Sequence, residues 1–464
     1  MTGYDTIFAL STAPGRSGIA VVRISGPGSR AALSALGGPG DPKARHASLV
    51  DLKSPEEGET IDRALVLWFP RPHSFTGEDV AEFHLHGGPV VVRAALEALA
   101  GQDGLRPAEP GEFTRRAFDN GKLDLTEVEG LADLIAAETE AQRRQALRQM
   151  RGALSALTED WRHRLLAALA QVEAAIDFPD EDLPPDGWIQ AKDLVLELKN
   201  DISQYLGQSP IGERLRDGYQ IAIVGAPNVG KSSLLNALAR REAAIVAETA
   251  GTTRDVIEVH LDLGGYPVTL ADTAGLREEI DGTPERPEQP DADTIGAVEI
   301  EGMRRARLRA ESADLKLVVA DFRDWPNLDP GVEALLDETA VLVLNKLDLA
   351  PVSGSPGADR YRGRPLFAVS AREGTGLGGL LDHLRDLVTG DLGVSGAAPS
   401  LTRVRHRRAL EECRDGLDRF LAAAEVALAA EDLRLAIRAL GRITGRVDVE
   451  DLLDVIFKDF CIGK

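Results

Sequence analysis

The chain has 464 residues, a length that corresponds to about three domains of ordinary size. Its 75 acidic and 53 basic residues give a net charge of −22, which disfavours extensive sequence-independent binding of nucleic acid. Any contact with RNA is therefore expected to be local. The chain has two cysteines far apart and no signal-peptide pattern, which argues against a disulfide framework. It has no apolar run long enough to predict a membrane-spanning helix. We therefore expect a soluble, cytoplasmic protein without stable membrane insertion.

Residues 1–120 have the pattern of a small α+β domain. Short β-rich runs punctuated by Gly and Pro precede a helical pattern at about 90–100. The runs are DTIFAL, GIAVVRIS, RALVLWF and DVAEFHLH.

Two helical segments, 121–216 and 386–464, flank the middle of the chain. In the first, apolar residues recur at three- and four-residue steps from Leu147 to Ile176, which predicts one long helix that FPDEDLPPDG ends. We expect the helices of both segments to pack together as one discontinuous all-helical domain. Residues 217–385 would then be inserted into it.

Residues 217–385 alternate strand and helix patterns and contain four motifs in order. QIAIVG leads into GAPNVGKS at 225–232, a phosphate loop placed between an apolar strand and a helix. DTAG at 272–275, NKLD at 345–348 and SA at 370–371 follow. Together they predict an inserted Ras-like P-loop G domain, and a multidomain α/β protein.

Each motif has a chemical role in nucleotide binding. Lys231 can reach the β- and γ-phosphates, and the Ser232 hydroxyl can ligate Mg²⁺. Asp272 suits Mg²⁺ coordination through water, and the Gly275 amide can sense the γ-phosphate. Asp348 can accept hydrogen bonds from guanine N1 and its amine, donors that adenine cannot offer together, so the pattern predicts GTP. The predicted nucleotide-binding residues are Asn228, Val229, Gly230, Lys231, Ser232, Ser233, Ala247, Glu248, Thr249, Ala250, Gly251, Thr252, Thr253, Asp272, Thr273, Ala274, Gly275, Asn345, Lys346, Asp348, Ser370 and Ala371.

The residues expected to support GTP hydrolysis differ from those of Ras-like proteins. Leu276 follows DTAG where Ras-like proteins have a glutamine that orients water, so another residue must do this. Asn228 and the segment AETAGTTRD (247–255) offer oxygen ligands with which a monovalent cation could replace an arginine finger. Alternatively, Asn228 merely shapes the loop.

The segments GAPNVGKSSLLNAL, REAAIVAETAGTTRDV, DTAGLRE, NKLD and FCIGK resemble the MnmE (TrmE) family of tRNA modification GTPases. TIFALSTAPGRSGIAVVRISG, SFTGEDVAEFHLHGGP and RPAEPGEFTRRAFDNGKLDLTEVEGLADLI resemble its first domain. The resemblance implies a homodimer with a folate-binding, dimerising N-terminal domain, a split helical domain and a potassium-dependent G domain. It also implies an FAD-containing MnmG partner in a heterotetramer or larger complex. Together they install an aminomethyl or carboxymethylaminomethyl group on C5 of the wobble uridine of certain tRNAs.

The resemblance also implies the hydrolytic residues. Glu299, in VEIEG, stands where the family has its water-orienting glutamate, and it would act with Lys231. The polar, acidic insert 279–297 weakens this alignment and leaves Asp293 and Glu301 as alternatives. The implied metal ligands are Asn228, Ala247, Thr249 and Thr252 for K⁺, and Ser232 and Thr253 for Mg²⁺.

By the same resemblance, Arg23, Glu82, Lys122 and Lys464 would surround a reduced folate, either the 5,10-methylene or the 5-formyl form of tetrahydrofolate. A carboxylate such as Glu82 can accept from the amide and amino edge of a pterin, while the glutamyl tail calls for Arg or Lys. Cys461, in FCIGK, is a candidate participant in the modification chemistry. A lone cysteine is otherwise a small buried hydrophobe, which is the interpretation given to Cys413.

Other patterns leave alternatives open. Glu82, His84 and His86 alternate along one predicted strand, but without a further ligand cluster we expect ordinary polar residues rather than a metal site. Local basic runs, RRQALRQMR, RRARLR and RVRHRR, could contact tRNA or be solvated helix faces. The rival function is a GTPase of ribosome assembly or translation control without folate chemistry.

Overall fold

The computed structural model describes residues 5–177, 187–207, 209–241, 258–272, 311–328, 330–349, 359–393 and 401–447, together with residues 453, 456, 457, 460 and 463. The chain forms two compact units. Unit 1 comprises Met1–Ala132, Arg148–Asn200 and Ala409–Lys464, and unit 2 comprises Asp133–Leu147 and Asp201–Arg408.

The secondary structure alternates between sheet-forming and helical parts of the chain. The strands are β1 Thr6–Leu10, β2 Ser17–Ser25, β3 Ser48–Lys53, β4 Thr60–Phe69, β5 Val80–Gly87, β6 Leu105–Pro107, β7 Tyr219–Gly225, β8 Glu258–Leu263, β9 Tyr266–Asp272, β10 Leu315–Asp321, β11 Ala340–Asn345, β12 Arg360–Tyr361 and β13 Arg364–Ala368. The helices are α1 Ser29–Ala35, α2 Pro89–Ala100, α3 Glu112–Asp119, α4 Leu125–Ala136, α5 Glu140–Met150, α6 Ala153–Asp177, α7 Gly187–Gly207, α8 Ser209–Asp217, α9 Lys231–Arg241, α10 Pro330–Glu333, α11 Leu377–Leu392, α12 Val404–Ala422 and α13 Val426–Thr444. Short 3-10 turns lie at Phe322–Asp324 and Leu347–Leu349.

Unit 1 contains a six-stranded sheet in the order β3-β4-β5-β2-β1-β6. Its strands are antiparallel except for β1 and β6, which run parallel. One face carries buried residues such as Val22 and Phe83, which belong to one core with Leu33 of α1 and Leu99 of α2. Because side chains alternate along a strand, Arg23 and Glu82 lie on the other face. The predicted N-terminal α+β domain is confirmed.

The helices of unit 1 pack through apolar stripes. Helix α6 buries Trp161 and Leu165 and packs along α13, which buries Leu433 and Leu440. One helix precedes the inserted segment and the other follows it, as a discontinuous helical domain requires. The boundaries proposed from sequence at 120, 216 and 385 stay predictions.

The prediction of one long helix from Leu147 to Ile176 is wrong in one respect. Helix α5 ends at Met150, and α6 begins at Ala153. Gly152 has a φ of +78°, a left-handed conformation that ends a right-handed helix. The apolar spacing continues across this break, so periodicity alone does not reveal it.

Unit 2 contains a seven-stranded sheet in the order β12-β13-β11-β10-β7-β9-β8. The five inner strands are parallel, and the edge strands β8 and β12 are antiparallel to their neighbours. Both faces are covered by apolar side chains, which explains the almost continuous hydrophobic run of β11. The carboxyl ends of β7, β10 and β11 meet at one edge, where ligands of open α/β sheets bind.

No helix in the described ranges is long and apolar enough to cross a membrane.

Candidate functional site

The phosphate loop joins β7 to α9 through an unusual backbone. Asn228 has a φ of +63°, and Gly225 and Gly230 also have positive φ. A Cβ atom at Gly225 would lie 2.2 Å from the Val319 carbonyl oxygen, and one at Gly230 would lie 2.4 Å from Nδ2 of Asn345. Glycine at both positions therefore lets the loop approach the ends of β10 and β11.

Lys231 lies inside the curve of this loop. Its side chain is buried, and Nζ donates to the carbonyl oxygens of Gly225 at 3.1 Å and Ala226 at 2.9 Å. Ser232 and Ser233 are exposed in the first turn of α9, where backbone amides and the helix dipole favour an anion. This arrangement can hold a polyphosphate, with the Ser232 hydroxyl placed for Mg²⁺.

The NKLD and SA motifs form the adjoining wall of the site. Asn345 is 2% exposed; its Nδ2 donates to the Val229 carbonyl oxygen at 3.0 Å, and its Oδ1 accepts from the Ala371 amide at 3.0 Å. The Ser370 hydroxyl donates to Oδ1 of Asp348 at 2.7 Å, which orients the carboxylate predicted to bind guanine. Residues distant in sequence are thus joined into one nucleotide site.

A further contact joins the end of β10 to the phosphate loop. Lys346, with a φ of +65°, donates from Nζ to the Asn228 carbonyl oxygen at 2.6 Å and lies 3.0 Å from Oδ2 of Asp321. Hydrogen bonds from Arg323 lower the pKa of Asp321 well below its ordinary value, and Lys346 acts in the same direction. Asp321 was missed from sequence, because its position in register with Asn345 depends on strand pairing that only the fold reveals.

Several predicted residues lie outside the described part of the chain. For Asp272 the structure describes the backbone alone, and this residue ends β9 beside Ile223 of β7. The residues outside are Ala247, Glu248, Thr249, Ala250, Gly251, Thr252, Thr253, Thr273, Ala274, Gly275, Glu299, Cys461 and Lys464.

A second polar cluster lies on the outward face of the unit 1 sheet. Arg23 and Glu82 are directly opposite on β2 and β5, and Nε of Arg23 donates to Oε1 of Glu82 at 3.0 Å. Nε2 of His84 lies 3.3 Å from the other carboxylate oxygen. The guanidinium carbon of Arg23 lies 5.4 Å from the ring centre of Phe75 and 5.9 Å from that of Phe113. Both rings were missed from sequence, although they belong to the quoted segments SFTGEDVAEFHLHGGP and RPAEPGEFTRRAFDNGKLDLTEVEGLADLI.

Lys122 and the C-terminal tail are held within the same unit. Lys122 is exposed, and its Nζ donates to the Pro72 carbonyl oxygen at 3.1 Å, on the loop that carries Phe75. The Ser11 hydroxyl donates to the Gly463 carbonyl oxygen at 2.9 Å, just beyond the end of β1. The tail therefore reaches the sheet that carries the Arg23–Glu82 pair.

His86 is engaged separately from this cluster. Its Nδ1 lies 2.8 Å from Oδ1 of Asp62, and its amide donates to the other oxygen of the same carboxylate. Across the described ranges, no group of three or more His, Cys, Asp and Glu residues is arranged to hold a metal ion.

The fold and the phosphate, NKLD and SA loops define a P-loop GTPase whose G domain accompanies an α+β domain and a helical domain. A sequence profile described as the MnmE helical domain matches residues 125–461, and one described as the N-terminus of the GTP-binding protein TrmE matches residues 6–122. The chain therefore belongs to the MnmE family of tRNA modification GTPases.

Relatives cover the whole chain. A tRNA modification GTPase MnmE of Paramagnetospirillum magneticum is 55% identical, over 99% of this chain and 100% of its own. The mitochondrial 5-taurinomethyluridine-[tRNA] synthase subunit GTPB3 of Homo sapiens is 50% identical, over 99% of this chain and 93% of its own. The G domain of the T. maritima FeoB iron transporter aligns with 37% of this chain and 97% of its own at 24% identity and a TM-score of 0.24, too low to support an inference.

Proposed function

We propose that this chain is a potassium-dependent GTPase that uses a one-carbon tetrahydrofolate to build the aminomethyl or carboxymethylaminomethyl group on C5 of wobble uridine 34 in tRNA. It would act as a homodimer with an FAD-containing MnmG-type partner, in a heterotetramer or larger complex. The proposal is carried by the presence, in one chain, of the phosphate, NKLD and SA loops and of the Arg23–Glu82 pair, whose guanidinium lies near the rings of Phe75 and Phe113. The names of the relatives supply tRNA as the substrate class.

Potassium dependence is proposed because hydrolysis needs a positive charge between the β- and γ-phosphates, and no arginine finger can be assigned from the sequence. Asn228 is exposed at the bend of the phosphate loop, where its side-chain oxygen is accessible to a cation beside the phosphates. A K⁺ ion there would stabilise charge that develops between the β- and γ-phosphates during hydrolysis. The proposed further ligands are Thr252 and the carbonyls of Ala247 and Thr249 for K⁺, and Ser232 and Thr253 for Mg²⁺.

Steady-state GTP turnover in matched potassium and sodium buffers tests this role. We expect sodium to lower the rate about a hundredfold, the effect of losing one stabilising group near developing charge. Asn228→Ala should erase the difference, whereas Asn236→Ala, an exposed asparagine on α9, should retain it. Equal rates of the parent protein in the two salts would contradict the proposal.

Glu299 is proposed as the residue that orients the attacking water. Glu299→Gln should retain GTP affinity and lose turnover, because binding and chemistry depend on different groups. Asp293→Asn and Glu301→Gln are matched controls that change one neighbouring carboxylate each. Unchanged turnover of Glu299→Gln, with loss in either control, would assign the role to that neighbour.

The cluster on the unit 1 sheet has the chemistry that a reduced folate requires. The Glu82 carboxylate can accept from the pterin edge, and the partly buried ring of Phe75 can pack against an aromatic or partly reduced ring. Phe113 is fully buried and contacts Arg23 from the core. Lys122 and Lys464 would bind the glutamyl tail. When bound, the folate supplies a one-carbon unit; the chain's residues bind and orient it, and Cys461 is a proposed participant.

Calorimetric titration with 5-formyltetrahydrofolate tests this site. Arg23→Ala and Glu82→Gln should weaken binding about tenfold or more, as expected for lost hydrogen bonds to charged groups, and leave GDP affinity unchanged. Asp62→Asn is the control, because it removes a carboxylate paired with His86 on the same sheet. A parent protein that binds GDP but no folate would favour the ribosome-assembly alternative.

The homodimer is proposed to form through the outward face of the unit 1 sheet. Leu49, Leu65, His84 and Val21 form one row across four neighbouring strands. Leu49 and Leu65 are 57% and 45% exposed, an apolar surface suited to a second copy. Sedimentation analysis should show that Leu65→Lys dissociates the dimer, whereas Val90→Lys, at an exposed site on α2, does not. A monomeric parent protein would refute the assignment.

A further inference from the structure

Asp321 is a buried acidic residue to which none of the nucleotide motifs assigns a role. It ends β10, directly in register with Asn345 at the end of β11, and its side chain is 8% exposed. A carboxylate in such surroundings is costly unless it is paired and hydrogen-bonded. Its partners therefore indicate why it is there.

Both oxygens of the Asp321 carboxylate are used. Oδ1 accepts from the amide of Arg323 at 3.0 Å and from its Nε at 3.0 Å, so the carboxylate caps the 3-10 turn that follows β10. Oδ2 lies 2.6 Å from Nη2 of Arg323 and 3.0 Å from Nζ of Lys346. Arg323 thus fixes a carboxylate that presents its second oxygen to Lys346.

Lys346 transmits this orientation to the phosphate loop. The same Nζ atom donates to the carbonyl oxygen of Asn228, the residue with a φ of +63°. Asparagine is one of the few residues other than glycine that adopts a left-handed conformation, and the contacts around Asn228 select that conformation over the right-handed alternatives. Asn345 holds the next carbonyl, that of Val229, at 3.0 Å. Two consecutive loop carbonyls are therefore held from the end of β11, and Asp321 at the end of β10 holds the lysine that binds the first of them.

From this chain of contacts we infer that Asp321 is a positioning residue for the monovalent cation site: through Lys346 it fixes the conformation of Asn228 and offsets the lysine's charge. Both effects favour a bound cation, because a pre-oriented ligand loses less entropy and a neutralised ammonium repels K⁺ less. The inference rests on the proposed role of Asn228.

The K⁺ concentration that gives half-maximal GTP turnover tests the inference. Asp321→Asn has the same shape and keeps an oxygen to cap the 3-10 turn, but it loses the charge. We expect it to raise the half-saturating K⁺ concentration about tenfold, the size of effect expected when a hydrogen bond to a charged group is lost. The rate at saturating K⁺ and the affinity for GDP should change less than threefold, since Lys346 and Asp348 remain.

Asp337→Asn is the matched control. Asp337 pairs with Lys316 and receives the Thr339 amide at 3.0 Å, at the opposite end of the same two strands. This variant should keep the half-saturating K⁺ concentration of the parent protein. If Asp321→Asn does not fold, Asp321→Ser retains a capping oxygen and gives the same test.

The outcomes separate the inference from the function on which it depends. A parent protein that needs no potassium refutes the proposed cation role itself. A potassium-dependent parent whose half-saturating concentration is unchanged in Asp321→Asn refutes the inference alone. In the Asn228→Ala background, Asp321→Asn should cause no further loss of rate; a full additional loss would show that Asp321 acts by another route.

Discussion

Gly230 illustrates how a single residue can join two motifs of the site. Its positive φ disfavours any side chain, and its closeness to Asn345 leaves no space for a Cβ atom. The backbone conformation of the phosphate loop is therefore only part of the reason for glycine here. The other part is the hydrogen bond from Asn345 to the neighbouring carbonyl of Val229.

Gly230→Ala should weaken GDP binding about tenfold or more, because it strains the backbone and displaces Asn345. Gly265→Ala is the matched control: its φ is +90° against +93° for Gly230, but nothing lies within 4 Å of the added atom. The control should lose stability through strain alone and retain its GDP affinity in calorimetry. Equal GDP affinities of the two variants would show that the contact with Asn345 is unimportant.

Cys413 shows how burial determines reactivity. It is fully buried in α12, and burial raises the pKa of its thiol to about 12. In a Cys461→Ser variant, we expect no reaction of Cys413 with a disulfide reagent at pH 8 until guanidinium unfolds the protein. Rapid labelling of the native variant would contradict the buried position.

The phosphate, NKLD and SA loops could be located from sequence because each motif is short and follows a strand; the roles of their individual residues stay predictions. Phe75, Phe113 and Asp321 could not be predicted in this way. Their roles depend on partners on other strands and loops, and a single aromatic or aspartate carries no local signal of such pairing. Burial and register, which only the fold supplies, reveal them.

At the scale of helices and strands, the predicted N-terminal strands DTIFAL, GIAVVRIS, RALVLWF and DVAEFHLH agree with β1, β2, β4 and β5. The sequence analysis missed β3 and β6. Strand β3 lies at the sheet edge with most of its residues incompletely buried, and β6 has three residues and ends in proline. Strand β3 alternates between more buried and exposed residues, but the pattern is short and weakly apolar, and β6 has too few residues to show one.

Helix packing in unit 1 makes a direct prediction from two adjacent leucines of α6. Leu165 is fully buried, whereas Leu166 is 37% exposed. Leu165→Ala should lower the free energy of unfolding of this unit by about 2–5 kcal/mol, the usual effect of a core cavity, and Leu166→Ala by far less. Urea titration followed by hydrogen exchange of the α6 amides measures the free energy of unfolding of both variants. Equal losses in the two variants would contradict the assignment of the buried face of the helix.

The ion-pair network at the start of α3 predicts a pH dependence of stability. Burial acts to raise the pKa of the Glu112 carboxyl, but hydrogen bonds from Arg106, the Glu109 amide and Arg116 together lower it below its ordinary value. A lowered pKa in the folded state means that the stabilisation is present above the unfolded pKa, near 4.3. It is lost as pH falls through the folded value.

Glu112→Gln should therefore destabilise unit 1 at pH 7 by about 1–3 kcal/mol and flatten the loss of stability below about pH 5. Asp41→Asn is the control, since Asp41 is 96% exposed in its pair with Arg30 and should contribute little. Urea titrations at a series of pH values, followed by hydrogen exchange of the β1 amides, give the stability of each variant as a function of pH. An unchanged pH profile in Glu112→Gln would contradict the network's role.

At the scale of the whole molecule, the two candidate sites lie in separate compact units of one chain. Unit 2 contains the nucleotide loops, and unit 1 contains the Arg23–Glu82 cluster and the anchored tail at Gly463. The acidic balance of the chain is consistent with tRNA contacts that are local. The chain belongs to a family of tRNA modification GTPases, and we propose that GTP turnover at one site controls the modification chemistry at the other.

Unit 2 is proposed to bind guanine nucleotides through Asp348, whose carboxylate is oriented by Ser370. Calorimetric titration of the parent protein with GDP and with ADP tests it most directly. We predict that GDP binds about a thousandfold more tightly or better, because a site built to hydrogen-bond a ligand rejects analogues that lack the donors. Equal affinities for GDP and ADP would contradict the assignment of the base-binding loop and the function built on it.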